Sequence, residues 1–368
     1  MKKILIVGAG YAGAVFGRLA AEDGHKIILI DKKDHTGGHS YSYRDEETGV
    51  EIQKYGPHIF HTIYDDVYHF ITRFTQLNNF INRVKTVHNG RVYSMPVNLH
   101  TINQFFDMNF SPLEAKAFIE SKQVKFQKIT NFKEAVMSSL GEELYDAFFK
   151  NYTIKQWGVQ PEEIVVSTAK RLPVRYNYND NYFNDKYQGI PTDGYGILFQ
   201  NMLDHKNIEI VLNTSFDLFR NSWKKDFDYL VFTGSIDDYY NYCYGSLPYR
   251  TIHFEKIVGK EIQGNAVINY ADLSVPFTRI HEHKWFTPEK SFEKSVAFKE
   301  FSGSTDSRKD PYYPVENNAS INLYQRYQKL AKKEERLLFI GRLAQFKYFN
   351  MDQVTKASIE AYQAFKKS

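Results

Sequence analysis

The first thirty-one residues constrain this chain more than any other part of it. Ile4-Leu5-Ile6-Val7 is a run of β-favouring apolar residues, as in a strand buried on both faces of a parallel sheet, and Gly8-x-Gly10-x-x-Gly13 then opens a helix reaching about Glu22. Gly8 permits a tight turn, Gly10 removes the Cβ that would hold the backbone away from a pyrophosphate, and Gly13 lets the helix lie close on the sheet. The unpaired N–H groups at that helix start face an anion. A second apolar strand over 27–30 ends in Asp31, 23 residues after Gly8, where a carboxylate can accept both hydroxyls of an adenosine ribose. An acid there repels a 2′-phosphate, which favours FAD or NAD over NADP.

A chain of 368 residues can bury a large core and form two or three domains. Its net charge of +4 is spread among interleaved acids and bases, so no basic stripe argues for nucleic acid. The single Cys243 excludes intramolecular disulfides and thiolate metal clusters, as expected in a reducing compartment. No apolar run approaches the roughly 18 residues that span a bilayer, and a cytoplasmic protein with no membrane partner is expected. With 27 Tyr beside 29 Phe, many hydroxyls need partners when buried, which points to a tyrosine-lined polar pocket.

Beyond Asp31, turn signals at Gly37-Gly38 precede a hairpin of 41–43 with 50–53. Gly56-Pro57 forces a turn, and His58 and His61, at i and i+3, are expected on one face of a helical turn. With no carboxylate or third His nearby in sequence, they are not read as metal ligands. A helix is expected over 65–80 and a helical stretch over 102–149, with Ser111 before Pro112 and Asn131 as caps. The density of Gly and Pro over 155–195 suggests a long ordered loop or lid. Strands are expected over 208–212, 228–234 and 337–341, alternation over 249–301 reads as an antiparallel sheet, and helices close the chain over 321–332 and 352–366. The fold class is therefore α/β. A Rossmann-like FAD-binding domain in three pieces (1–80, 192–245, 316–368) carries an inserted helical domain (98–150) and an antiparallel sheet domain (81–97, 151–191, 246–315), with a mobile loop about 158–180.

Several blocks acquire meaning together. Gly56-Pro57-His58-Ile59-Phe60-His61-Thr62, Asn82-Arg83-Val84, Phe148-Phe149-Lys150-x-Tyr152-Thr153-x-Lys155-Gln156-Trp157-Gly158, Lys170-Arg171-Leu172-Pro173, Asn181-Tyr182-Phe183, Thr278-Arg279-Ile280-x-Glu282-His283, Pro311-Tyr312-Tyr313-Pro314 and Gly341-Arg342-Leu343 resemble, in order over essentially the whole chain, the bacterial UDP-galactopyranose mutases.

That resemblance implies a non-redox isomerisation of UDP-galactopyranose to UDP-galactofuranose on reduced FAD, through a covalent adduct between the flavin N5 and the sugar, feeding synthesis of cell-surface galactofuranose glycans. It implies that Arg171 and Arg279 grip the diphosphate, with Arg171 carried on a closing loop, and that His61 lies beside the flavin with His58 supporting it. Phe148, Phe149, Tyr152 and Thr153 resemble the uridine pocket and Trp157 a cleft residue. Tyr182, Tyr313 and Tyr348 resemble phosphate-binding tyrosines, with Asn82 and Asn269 near the sugar. For FAD the likeness indicates Gly8, Gly10, Tyr11, Ala12, Gly13, Asp31, Lys32, Gly38, His39, His58, Ile59, Gly341, Arg342, Tyr348 and Met351. A homodimer is expected from the family alone.

Two positions depart from the family pattern. Asn350 stands where an Asp is usual, removing a charge near the phosphates, and His39 stands where an Asn is common. Acceptance of UDP-N-acetylgalactosamine is compatible with either departure. The rival expectations are an amine-oxidase-type FAD oxidoreductase, which shares the N-terminal unit and discontinuous plan, a nicotinamide dehydrogenase, and a silent nucleotide-sugar binder. Retention of Arg171, Arg279 and His61 speaks against the last.

Overall fold

The computed structural model describes residues 1–171 and 173–367, with all their side chains except those of Ser167, Lys170 and Arg171. Five parallel strands form one sheet in the order Leu337–Phe339, Tyr229–Phe232, Lys3–Val7, Lys26–Ile30, Ile208–Val211. Three separated stretches of chain thus build a single sheet, whose inner strands are apolar and mostly buried while the edge strand Ile208–Val211 is partly exposed. On one face Ile4 and Ile6 meet the helix Tyr11–Glu22, whose Phe16 ring sits edge-on to Tyr362 (5.3 Å) and Phe365 (5.5 Å) of the last helix, Met351–Lys367. On the other, Leu5 and Ile30 pack against Phe216, Trp223, Phe227 and Phe232.

The second sheet has seven strands, ordered Tyr313–Pro314, Pro248–Gly259, Ser295–Asp306, Arg279–Glu282, Val267–Tyr270, Val84–His88, Arg91–Met95. Its two 12-residue strands pair antiparallel along their whole length. The sheet is not purely antiparallel, since Val84–His88 runs parallel to Val267–Tyr270. That pairing joins strands distant in sequence, so no hairpin signal could announce it. The helices Leu99–Phe106, Pro112–Lys122 and Phe132–Leu140 lead into a continuous run through the π-helical Tyr145–Lys150 to Asn151–Trp157. Ser111 and Asn131 cap as expected, Ser111 in a reciprocal box with Glu114.

Two local expectations are corrected. The helix expected to Phe80 is Asp65–Thr72. Beyond it Asn78 N–H donates to the Ile190 carbonyl and the Gln76 carbonyl accepts from Thr192 N–H, so tertiary partners claim the backbone that a longer helix would use. His58 and His61 do not share a helical face. His61 lies in the extended strand Phe60–Thr62, paired with Tyr187–Gly189, where residues three apart point to opposite sides. No helix among the described residues is long and apolar enough to cross a membrane.

Candidate active site

The glycine turn is built as its spacing requires. Gly8 has φ +103°, and a Cβ on it would fall 2.0 Å from Thr233 Oγ1. A Cβ on Gly13 would fall 2.0 Å from the Gly8 carbonyl, so the helix lies directly on the turn. The helix starting after Gly10 has no acid in its first turn and no side-chain cap, which leaves its N–H groups and positive end for an anion. Asp31, 8% exposed, accepts Ala9 N–H at 2.7 Å and Lys33 N–H at 2.9 Å, one on each oxygen.

These groups wall a cavity of about 260 Å³. Gly8, Gly10, Tyr11, Ala12, Asp31, Lys32, Gly38, His39, His58, Gly341, Arg342 and Met351 line it, as does Asn350. The close pairing of Gly10 with Gly38, the anion-ready helix start, and Tyr11 Oη, buried without a hydrogen bond among the described residues, fit an elongated diphosphate cofactor. Gly13 lies beneath the turn rather than on the wall, and Ile59 is buried in the core. Tyr348 belongs to a second cavity, about 450 Å³, which it shares with Trp157; Phe349 borders both.

Of the two histidines, His58 reaches the cofactor cavity. Its Nδ1–H donates to the Gly56 carbonyl at 2.8 Å. Burial, aided by Arg342 and Arg279, lowers its pKa to about 4, so the ring is neutral with its Nε2 lone pair free to accept. His61, expected there, instead hydrogen-bonds the Asp185 carboxylate and stacks on Phe183 at 3.7 Å. It lines neither cavity. His39 stacks on Tyr312 at 4.1 Å, and burial holds it well below its usual pKa.

Polar groups gather between the cavities. Arg279 and Glu300 stand opposite each other on adjacent strands, as do Arg279 and Asn269, so all three project from one sheet face. Arg279 Nε donates to the Glu300 carboxylate at 2.7 Å; the carboxylate is fully buried and the guanidinium 22% exposed. Burial opposes the Arg279 charge, but Glu300, Tyr152 and Tyr313 outweigh it and hold it more firmly protonated than usual. Tyr313 stacks on Tyr348 at 5.3 Å, and the Arg342 guanidinium lies 5.5 and 5.3 Å from those two rings. Trp157 stands 6.3 and 6.0 Å from the same pair. Tyr152 interacts with Arg279, Tyr182 and Tyr348, and burial keeps its hydroxyl protonated. Asn82 is buried, and its Oδ1 has no partner among the described residues.

Phe148, Phe149 and Thr153 are 3%, 5% and 4% exposed. Phe148 packs edge-on against Tyr93 (5.0 Å) and Phe105 (5.4 Å), so it belongs to the core of the helical region. Arg171 ends the short helix Val166–Arg171, and its side chain lies outside the described residues.

Sequence reasoning overlooked two anchors. Lys155 Nζ donates to the carbonyls of Tyr270, Asp272, Val275 and Phe277 at 2.6 to 3.0 Å, tying the helix of Tyr152 and Trp157 to the loop leading to Arg279. Arg250, 3% exposed, bonds the Gln156 carbonyl at the C-terminal end of that helix. The available signal for Glu300 was an acid at an inward position of an alternating strand.

The UDP-galactopyranose mutase family model matches residues 147–348, and a model for an NAD(P)-binding Rossmann-like domain matches residues 6–74. A Klebsiella pneumoniae protein named "Probable UDP-galactopyranose mutase" is 43% identical, covering 99% of this chain and 94% of its own. The dTDP-fucopyranose mutase of Escherichia coli is 44% identical, covering 100% and 99%. A crystal structure of reduced UDP-galactopyranose mutase shares the fold, with TM-score 0.73 at 17% identity over 100% of this chain and 96% of that one. A dinucleotide-type cavity joined to an arginine–tyrosine cluster, within a chain matched end to end by such relatives, makes this protein an isomerase of the UDP-galactopyranose mutase family.

Proposed function

We propose that this enzyme interconverts UDP-galactopyranose and UDP-galactofuranose with reduced FAD seated in the cavity of the glycine turn. The observation carrying the reading is Arg279, anchored by Glu300 and set among Tyr152, Tyr313 and Asn269 beside that cavity. Reduced flavin supplies a nucleophile toward the anomeric carbon.

The chain's own residues do the rest. With Nε committed to Glu300, the two Nη groups of Arg279 are available to a diphosphate as a planar fork, matching negative charge as UDP separates from the sugar. Protonated Tyr152 and Tyr313 donate to phosphate oxygens without adding charge. Arg171 would bring a second guanidinium. Arg342, held by the Phe349 carbonyl at 2.7 Å, supplies positive charge at the cofactor wall. Neutral His58 offers an acceptor there, and His61 supports the strand behind it. The reading takes the enzyme as a cytoplasmic homodimer, and light scattering tests the assembly.

The test incubates the holoenzyme with UDP-galactofuranose, with and without dithionite. Conversion to UDP-galactopyranose only after reduction is expected; a reduced enzyme that leaves substrate unchanged refutes the reading. A second reading, the same ring contraction on a dTDP-sugar, is favoured by the match to the E. coli dTDP-fucopyranose mutase. Parallel assays with dTDP-fucofuranose and with the UDP-N-acetylgalactosamine pair decide among the substrates.

A further inference from the structure

Behind Arg279 lies a line of buried polar groups that the proposed reaction does not touch. His281 is 0% and His283 1% exposed, and Glu300 is 0% exposed. His281 shares a sheet face with Arg279 because the two are two residues apart on one strand. Gln53 N–H reaches His283 Nδ1 at 3.2 Å, and His283 Nε2 meets His281 Nδ1 at 3.0 Å. His281 Nε2 makes no hydrogen bond among the described residues and stands 3.8 Å from Glu300 Oε2, the oxygen that accepts Arg279 Nε.

These contacts have one consistent direction. The Glu51 carbonyl also faces His283, but the contact with hydrogen-bond geometry is that of Gln53 N–H, which can only donate, and it assigns Nδ1 as the acceptor. His283 then carries its proton on Nε2 and donates to His281 Nδ1. His281 in turn carries its proton on Nε2, directed at the Glu300 carboxylate. Burial lowers both imidazole pKa values, that of His283 to about 3, so neither ring brings a charge to compete with Arg279. Two imidazoles and a carboxylate are costly core fillers unless their polar atoms are used.

We propose that His283 and His281 form a directionally hydrogen-bonded pair whose outer Nε2–H faces Glu300 electrostatically at 3.8 Å, and that this relay holds the Arg279 guanidinium with its Nη groups turned toward the substrate diphosphate. Both histidines are positioning residues, acting through Glu300, and the inference rests on the reading of Arg279 as a diphosphate ligand. The relay starts at the backbone of the Glu51–Gln53 strand, so the guanidinium is referenced to the chain segment that leads to His58 at the cofactor wall.

Two measurements on the holoenzyme test it. In ¹⁵N-histidine NMR of the wild type near pH 7, with signals assigned by their loss in single variants, both His281 and His283 are expected as neutral Nε2–H tautomers. An Nδ1–H tautomer or an imidazolium at either position overturns the relay, whatever the variants do. In titrations with UDP, His281→Leu is expected to weaken binding about tenfold. His281→Gln, whose amide can accept and donate in the same order, is expected to retain most of the affinity. Wild-type affinity in His281→Leu alongside lost affinity in Arg279→Ala overturns the relay and leaves Arg279 as the diphosphate ligand. Wild-type affinity in Arg279→Ala removes that assignment, and the relay's purpose with it.

Discussion

The carboxylate of Asp31 accepts the backbone N–H of Ala9 at 2.7 Å, tying the end of the second strand to the middle of the glycine turn. Its other oxygen holds Lys33 N–H. Asp31 therefore shapes the turn, in addition to the ribose-binding role proposed for it. Asp31→Ala is expected to lower stability by about 1–3 kcal/mol, the cost of orphaning charge-assisted bonds. It should also yield largely colourless protein, and bound flavin per chain measures the effect.

Gly8→Ala is expected to lose flavin as well, for a steric reason. The added methyl must accept φ +103° and a 2.0 Å approach to Thr233 Oγ1. Backbone strain alone costs about 1–3 kcal/mol. Removing the hydroxyl in Gly8→Ala/Thr233→Ala relieves the contact but not the strain. Partial recovery of melting temperature in the double variant is the expected non-additive result.

Arg279→Ala should lower kcat/KM by about 10²–10³ while the protein stays yellow, because the guanidinium is proposed to grip the substrate diphosphate and does not line the cofactor cavity. Arg279→Lys should restore only part. A single ammonium cannot satisfy Glu300 and present a planar fork at once. Bleached protein would contradict the assignment.

Lys155→Met should reduce stability by about 1–3 kcal/mol, since four carbonyls lose their shared donor. It should also raise KM, because the helix of Tyr152 and Trp157 loosens from the loop before Arg279. Urea unfolding and steady-state kinetics check the two parts.

Acid should weaken the fold through its buried imidazoles. His283 has a pKa of about 3 in the folded protein, and His281 is likewise well below its ordinary value of 6.5. The unfolded chain binds the extra proton first, so their contribution is complete above pH 6.5 and is lost as pH falls toward 3. At pH 5 the His283 site has given up about 2 kcal/mol, and His281 adds to the loss in the same direction. Urea midpoints compared at pH 7.5 and 5 read this loss, and an unchanged midpoint would contradict it.

The N-terminal unit was legible because its signals are local. Gly8, Gly10, Gly13 and Asp31 act through backbone conformation and short-range geometry, and the structure uses them at the positions their spacing indicates. His61 shows where such reading stops. Its motif neighbour His58 reaches the cofactor cavity, while His61 turns to Asp185, 124 residues away. The helix expected to Phe80 stops at Thr72 for the same reason, since Ile190 and Thr192 claim the following backbone. Lys155 and Arg250 carried no readable signal, and Glu300 only that of an acid at an inward strand position, because each is defined by partners on other elements.

The sequence by itself determined a parallel nucleotide-binding sheet, a family and the set of chemical groups. Periodicity, glycine spacing and motif order are properties of the chain taken one stretch at a time. Only the tertiary structure decided which groups meet. It set Arg279 between Glu300 and Asn269 by strand register, paired Val84–His88 parallel to Val267–Tyr270, and ran the buried histidines up to Glu300. Register and burial arise from packing across the whole sheet, where the cost of an unpaired charge or polar group selects one arrangement among many with the same local pattern.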